Sequence, residues 1–124
     1  MLNLYAAWAG ILGACLAGTV TGMFFHQENW LGGYSSWERR MVRLGHISFF
    51  GLGMVNFLYA YTILQFNLSL SSPYSSWLLV IGLITMPLVC YLSAYKKFFR
   101  HLFFIPVLSV LSGIILFLKE VLMK

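Results

Sequence analysis

The stretch Arg39–Asn56, R-R-M-V-R-L-G-H-I-S-F-F-G-L-G-M-V-N, decides the fold. Arg39, Arg40 and Arg43 form a charged collar, Gly45 and His46 follow, and the sequence then turns apolar around Gly51 and Gly53. A charged collar leading into apolar sequence marks a helix entering a membrane. A histidine just inside that border is costly unless something uses it, which makes His46 a candidate site residue.

The composition around this stretch agrees. Of 124 residues, 60% are hydrophobic and 9% charged, against about 25% charged in a soluble domain. Mean hydropathy is +0.85. Apolar segments of about twenty residues, each long enough to cross a bilayer, nearly exhaust the chain, leaving a single transmembrane domain over residues 1–124. The net charge of +5 would suggest nucleic acid in a soluble protein. Here the basic residues sit at helix ends, where orientation in the bilayer explains them, and no nucleic-acid partner is expected. Cys15 and Cys90 lie in apolar segments and read as small buried hydrophobes.

The first helix spans about 2–25. It lacks the basic flank of a signal peptide, and Leu12-Gly13-Ala14-Cys15 only loosely resembles a lipoprotein cleavage box, so no processing is expected. Ala6, Gly10, Ala14, Gly18 and Gly22 form a small-residue row that admits a close helix partner. Other membrane subunits docking through this row are one expectation. A polar connection follows, with Trp30, Tyr34 and Trp37 suited to the headgroup region. Ser35 and Glu38 form a capping-box pattern and start the second helix, about 37–66. Its early arginines oppose the helix dipole and so need another reason, orientation or an anionic partner.

Asn67-Leu68-Ser69 matches a glycosylation sequon by pattern and is discounted because it abuts the membrane. Ser71-Ser72-Pro73 supplies a cap and a helix-starting proline for a third helix, about 73–95, with a kink expected at Pro87. A basic turn, Lys96-Lys97-Phe98-Phe99-Arg100, leads to a fourth helix, about 101–120. Short connections imply antiparallel neighbours, hence an all-α, up-down four-helix transmembrane bundle. One end holds Arg39, Arg40, Arg43, Lys96, Lys97 and Arg100, against Lys119 and Lys124 at the other. The positive-inside rule puts the richer end in the cytoplasm and both termini outside.

That topology gathers His26, His46 and His101 at the basic end. Arg39, His46 and Gly53 share a face of the second helix, and Gly53 would leave space for a flat group beneath the imidazole. The combination suits a b-type haem: His46 and His101 as axial ligands, His26 as the alternative, and Arg39, Arg43, Lys97 or Arg100 toward the propionates. The competing reading gives His46 a hydrogen bond to a neighbouring helix. Asn56, Gln65, Thr85, Ser109 and Ser112 would line a pathway or, more often, join helices. Glu28, Glu38 and Glu120 are all peripheral, which disfavours a proton or cation conduit. No phosphate loop, no serine-histidine-acid set and no histidine pair at i and i+4 is present, so no enzyme activity is expected.

The run R-x-x-R-L-G-H-I-S-F-F-G-L-G-x-x-N, from Arg40 to Asn56, resembles a segment of small bacterial four-helix membrane proteins. It also resembles the histidine-then-glycine helices of membrane haem proteins. Those resemblances imply a bacterial inner membrane and a respiratory or redox setting. The expected function is a non-catalytic integral membrane subunit of a larger assembly, with a b-type cytochrome carrying electrons through His46 and His101 as the alternative.

Overall fold

A computed structural model describes residues 1–69 and 73–123. The chain forms α1 (Leu2–Phe25), a 3₁₀ turn at Trp30–Gly32, α2 (Trp37–Gln65) and α3 (Tyr74–Tyr95). A 3₁₀ segment (Lys97–Phe103) then leads into α4 (Phe104–Leu122). Four stretches, Leu2–Phe25, Trp37–Gln65, Tyr74–Tyr95 and Lys97–Leu122, are long and apolar enough to cross a membrane. At 1.5 Å per residue α1 is about 36 Å long, enough for a hydrocarbon core of about 30 Å.

Local chemistry sets the ends of these elements. The N-cap of α2 is Ser36 rather than Ser35: its hydroxyl accepts from the Arg39 amide at 3.2 Å and donates to the Leu31 carbonyl at 2.6 Å. The second bond closes the preceding loop, which selects this serine over its neighbour. At the other end of α2, Asn67 adopts φ +48°. The Asn67 and Leu68 amides return to the carbonyls of Leu64 and Ile63 at 3.4 and 3.0 Å. This is a Schellman ending with asparagine in the left-handed position, a structural use for the sequon residue. Of the expected start of α3, Ser71 and Ser72 lie outside the described residues, and Pro73 stands at the N-cap. The helix then continues through Pro87.

The fourth helix begins at Phe104 rather than His101, which falls in the 3₁₀ segment. Pro106 has no amide to bond Leu102 and stands in the first turn of α4, where that loss costs least, and the chain ahead of it winds as tighter 3₁₀ turns.

All neighbouring helices run antiparallel, and the paired residues show the register. Gly10 of α1 meets Gly53 of α2, and Gly18 meets His46. Between α2 and α3, Asn56 bonds Leu79, while Gly45 meets Cys90 and Tyr91. Between α3 and α4, Gly82 meets Val110 and Leu79 meets Gly113, and Ser109 also donates to the Leu78 carbonyl at 2.7 Å. Both termini therefore lie at one end of the bundle.

The packing suits a membrane protein, with small residues beside Tyr59, Leu79, Leu83 and Val89 inside and a large apolar exterior. Ala7, Ala14, Ala60 and Cys90 are buried, whereas Tyr5, Trp8, Leu12, Leu16, Val20 and Met23 face outward along α1. A continuous apolar exterior of this extent is satisfied by lipid, not water. The small-residue row of α1 turns inward from Gly10 to Gly18, and Gly22 is left open. A Cβ at Gly10 would lie 3.0 Å from the Phe49 carbonyl oxygen and 3.1 Å from the Gly53 Cα, so the α1 and α2 backbones are nearly in contact. The expectation that this row receives another subunit is corrected at Gly10, Ala14 and Gly18, which are covered or faced by this chain's own residues.

Polar side chains tie the helices near the termini. Asn3 Nδ2 donates to Asn56 Oδ1 at 2.7 Å and to the Ser76 carbonyl at 3.2 Å. The Ser76 hydroxyl donates back to Asn3 Oδ1. Asn56 Nδ2 donates to the carbonyls of Leu52 and Leu79 at 2.9 and 3.2 Å. Each amide oxygen thus accepts one bond and each amide nitrogen donates two. Such a network holds three helices together where hydrocarbon offers no competing partner.

The bundle is not closed. In sequence order each helix packs on the next, α1 touches α3 to a lesser extent, α2 and α4 meet through the Tyr59–Phe117 ring pair at 4.8 Å, and α1 and α4 share no extended interface. The result is a staggered row with α1 and α4 at its far corners.

Candidate functional site at the basic end

Arg39 is the most informative residue of this end. It is 0% exposed, yet it carries a full charge. Its guanidinium donates to the carbonyl oxygens of Phe25 at 2.6 Å, Gln27 at 3.2 Å and Glu28 at 3.3 Å. Those oxygens lie at and just beyond the C-terminus of α1, where unpaired carbonyls concentrate the negative end of the helix dipole. Aromatic rings enclose the cation: its Cζ lies 4.4 Å from the Phe25 ring centroid, 4.2 Å from Tyr34 and 5.6 Å from Trp30. The guanidinium therefore exchanges water for carbonyls and ring faces.

This arrangement answers the dipole objection. Arg39 opposes the dipole of its own helix but complements that of the antiparallel neighbour beside it. Trp30 and Tyr34, expected at the headgroups, also help enclose this charge. Trp37 also reaches inward, its indole donating to the Ser93 carbonyl at 2.8 Å and joining α2 to the end of α3. Arg39 is thus bound by protein atoms and not directed at an external anion.

Arg43, one turn further on, is half-buried. Its guanidinium makes a long contact of 3.5 Å to the Tyr34 carbonyl. With Gly18, Thr21, Gly22, Phe25, His46 and Ile47 it lines an open recess of about 300 Å³ between α1 and α2. His46 lies over Gly18, whose added Cβ would stand 2.8 Å from the imidazole Nε2. Its Nδ1 is buried without a hydrogen-bond partner.

The remaining predicted site residues are spread apart. Gly53 offers no slot beneath His46, because a Cβ there would meet the Ala7 carbonyl oxygen of α1 at 3.2 Å. His101 is exposed, edge-on to Phe98, on the 3₁₀ segment that packs against α3 and α4. His46 faces α1, so the two imidazoles are presented to different helix pairs. His26 is exposed at the end of α1 and Arg100 is exposed on the 3₁₀ segment. These residues do not assemble a bis-histidine haem slot within one chain. Among the described residues, no group of three or more His, Cys, Asp or Glu side chains could hold a metal ion.

Sequence reasoning missed two things here. One is the capture of α1's carbonyls by Arg39, although its conflict with the local dipole was a usable signal. The other is the recess itself, since Gly18 and Gly22 read only as part of a packing row.

The fold and this end of the bundle define a class, an all-α protein with four candidate membrane spans. Comparison of the chain with protein-family models, curated proteins and solved structures returns no match.

Proposed function

We propose that this chain is a non-catalytic integral membrane subunit that packs into a larger membrane assembly. The observation that carries the reading is the open side of the bundle. α4 docks mainly on α3 and meets α2 through the Tyr59–Phe117 ring pair, so toward the basic end a groove of about 510 Å³ separates α4 from α2, lined by residues such as Leu52, Val55, Met86, Val107 and Leu111. Gly51 stands at its edge, and a Cβ there would meet nothing within 4 Å. An apolar groove with a glycine on its wall accepts a transmembrane helix at close range.

The buried polar groups support the same reading. Asn3, Asn56, Ser76 and Arg39 bond other parts of the chain, which is the chemistry of a scaffold. In this reading the basic end faces the cytoplasm, as the positive-inside rule requires. The setting, on the resemblance of the Arg40–Asn56 run, is a respiratory or redox complex of a bacterial inner membrane.

Extraction in mild detergent tests the proposal. The expected species is larger than the 14.1 kDa chain and contains other membrane proteins. A monodisperse monomer extracted under conditions that preserve known membrane complexes would overturn it. A reduced-minus-oxidised spectrum checks the cytochrome alternative: a Soret band carried by the isolated chain would replace the scaffold reading. For orientation, a reporter active only outside the cytoplasm, fused to the C-terminus, is expected to be active.

A further inference from the structure

We propose that the recess between α1 and α2 holds the phosphate of an anionic membrane phospholipid, with Arg43 and His46 as its donors. The recess has the two kinds of donor that a phosphate needs. Arg43 makes one long contact to the Tyr34 carbonyl and lies over the Tyr34 ring, its Cζ 5.6 Å from the centroid, which leaves most of its five N–H groups for a ligand. His46 lines the same recess with its Nε2 end over Gly18, and an imidazole protonated at that nitrogen is a donor. A guanidinium and an imidazole N–H converging on one recess form charge-assisted bonds to phosphate oxygens.

Space is also provided. A Cβ at Gly22 would meet nothing within 4 Å, so this wall is open where the packing at Gly10 is tight. The two glycines at this end of the row, Gly18 and Gly22, therefore do different things. Gly18 seats the imidazole, and Gly22 leaves room for the headgroup.

The lipid source, as opposed to free phosphate, follows from what borders the recess. Ile47 lines it and is exposed, and Phe50, on the next turn of α2, is exposed as well. Acyl chains descending from a phosphate at Arg43 would lie along these side chains. The local field favours an anion: Arg39, Arg40, Arg43, Lys96, Lys97 and Arg100 share this end with only Glu28 and Glu38. Arg39 adds a fixed positive charge held by carbonyls.

Native mass spectrometry of the full chain, released from mild detergent with added phosphatidylglycerol or phosphatidylcholine, tests this. One phosphatidylglycerol per chain is expected to be retained in preference to phosphatidylcholine. Arg43→Gln is expected to weaken retention by about tenfold or more, the worth of a charged hydrogen bond. Gly22→Leu is expected to do the same by filling the recess, and its helix should tolerate the change because the site is open. Arg40→Gln, an exposed arginine outside the recess, should retain the lipid. Retention unchanged in both Arg43→Gln and Gly22→Leu would overturn the site. Equal loss in Arg40→Gln and Arg43→Gln would overturn it in favour of diffuse surface charge. Displacement of the lipid by millimolar inorganic phosphate would overturn the lipid assignment.

Discussion

The guanidinium of Arg39, near the start of α2, donates to the carbonyl oxygen of Phe25, the last residue of α1, at 2.6 Å. One residue thus closes the end of the preceding helix, while its own amide is capped by Ser36. Two helix termini of opposite dipole sign meet at a single arginine.

Replacing this residue tests whether shape or charge matters. Arg39→Leu should destabilise the protein by about 2–4 kcal/mol, through lost charged hydrogen bonds and ring contacts. Arg39→Lys should recover only part of that, because a point ammonium cannot reproduce a planar fork between two rings. Thermal unfolding in detergent is the measurement. A lysine variant as stable as the wild type would show that only charge is needed.

Ser36 and Ser35 separate two capping schemes. Ser36→Ala removes the bond from the Arg39 amide and the bond to Leu31, and should cost about 1 kcal/mol. Ser35→Ala should change stability by less than half of that. A reversed order in melting temperature would return the cap to Ser35.

The polar tie at the other end predicts coupling. Asn56→Leu should destabilise by about 1–3 kcal/mol, since it leaves Asn3 with a vacant bond in an apolar interior. Asn3→Leu should act similarly. The double variant should cost less than the two single changes combined, because each already disables the pair. Strict additivity in a double-mutant cycle would mean that the amides act independently.

Gly51 and Gly53, two positions apart on α2, should respond in opposite directions. Gly53→Ala places a Cβ 3.2 Å from the Ala7 carbonyl oxygen and should destabilise by about 1–3 kcal/mol by forcing α1 away. Gly51→Ala meets nothing within 4 Å and should gain about 0.5–1 kcal/mol from reduced backbone entropy cost. A destabilising Gly51→Ala would mean that the groove wall beside α4 is more closely packed than described.

Much of the fold was legible in order along the chain. The ends of α1 and α3 follow from apolar length and flanking polar residues, and the α2 start was read to within a residue. The basic end, with its three histidines, was legible from helix count alone. The geometry within that end was not. His46 and His101 share an end but face different helix pairs, and sequence position along a helix does not say which neighbour covers which face. The row from Ala6 to Gly22 announced a close approach without naming the partner, because a glycine surface is complementary to any backbone that can reach it.

The sequence by itself determined a bundle of four helices long and apolar enough to cross a membrane, with one basic end. Span number, length and charge asymmetry are properties of consecutive residues competing between lipid and water. Only the tertiary structure decided that Arg39 belongs to the end of α1, that Gly53 is filled, and that Arg43 and His46 border an open recess. Those outcomes depend on which antiparallel surfaces meet, and a buried polar group is satisfied by whatever the neighbouring helix presents at that depth.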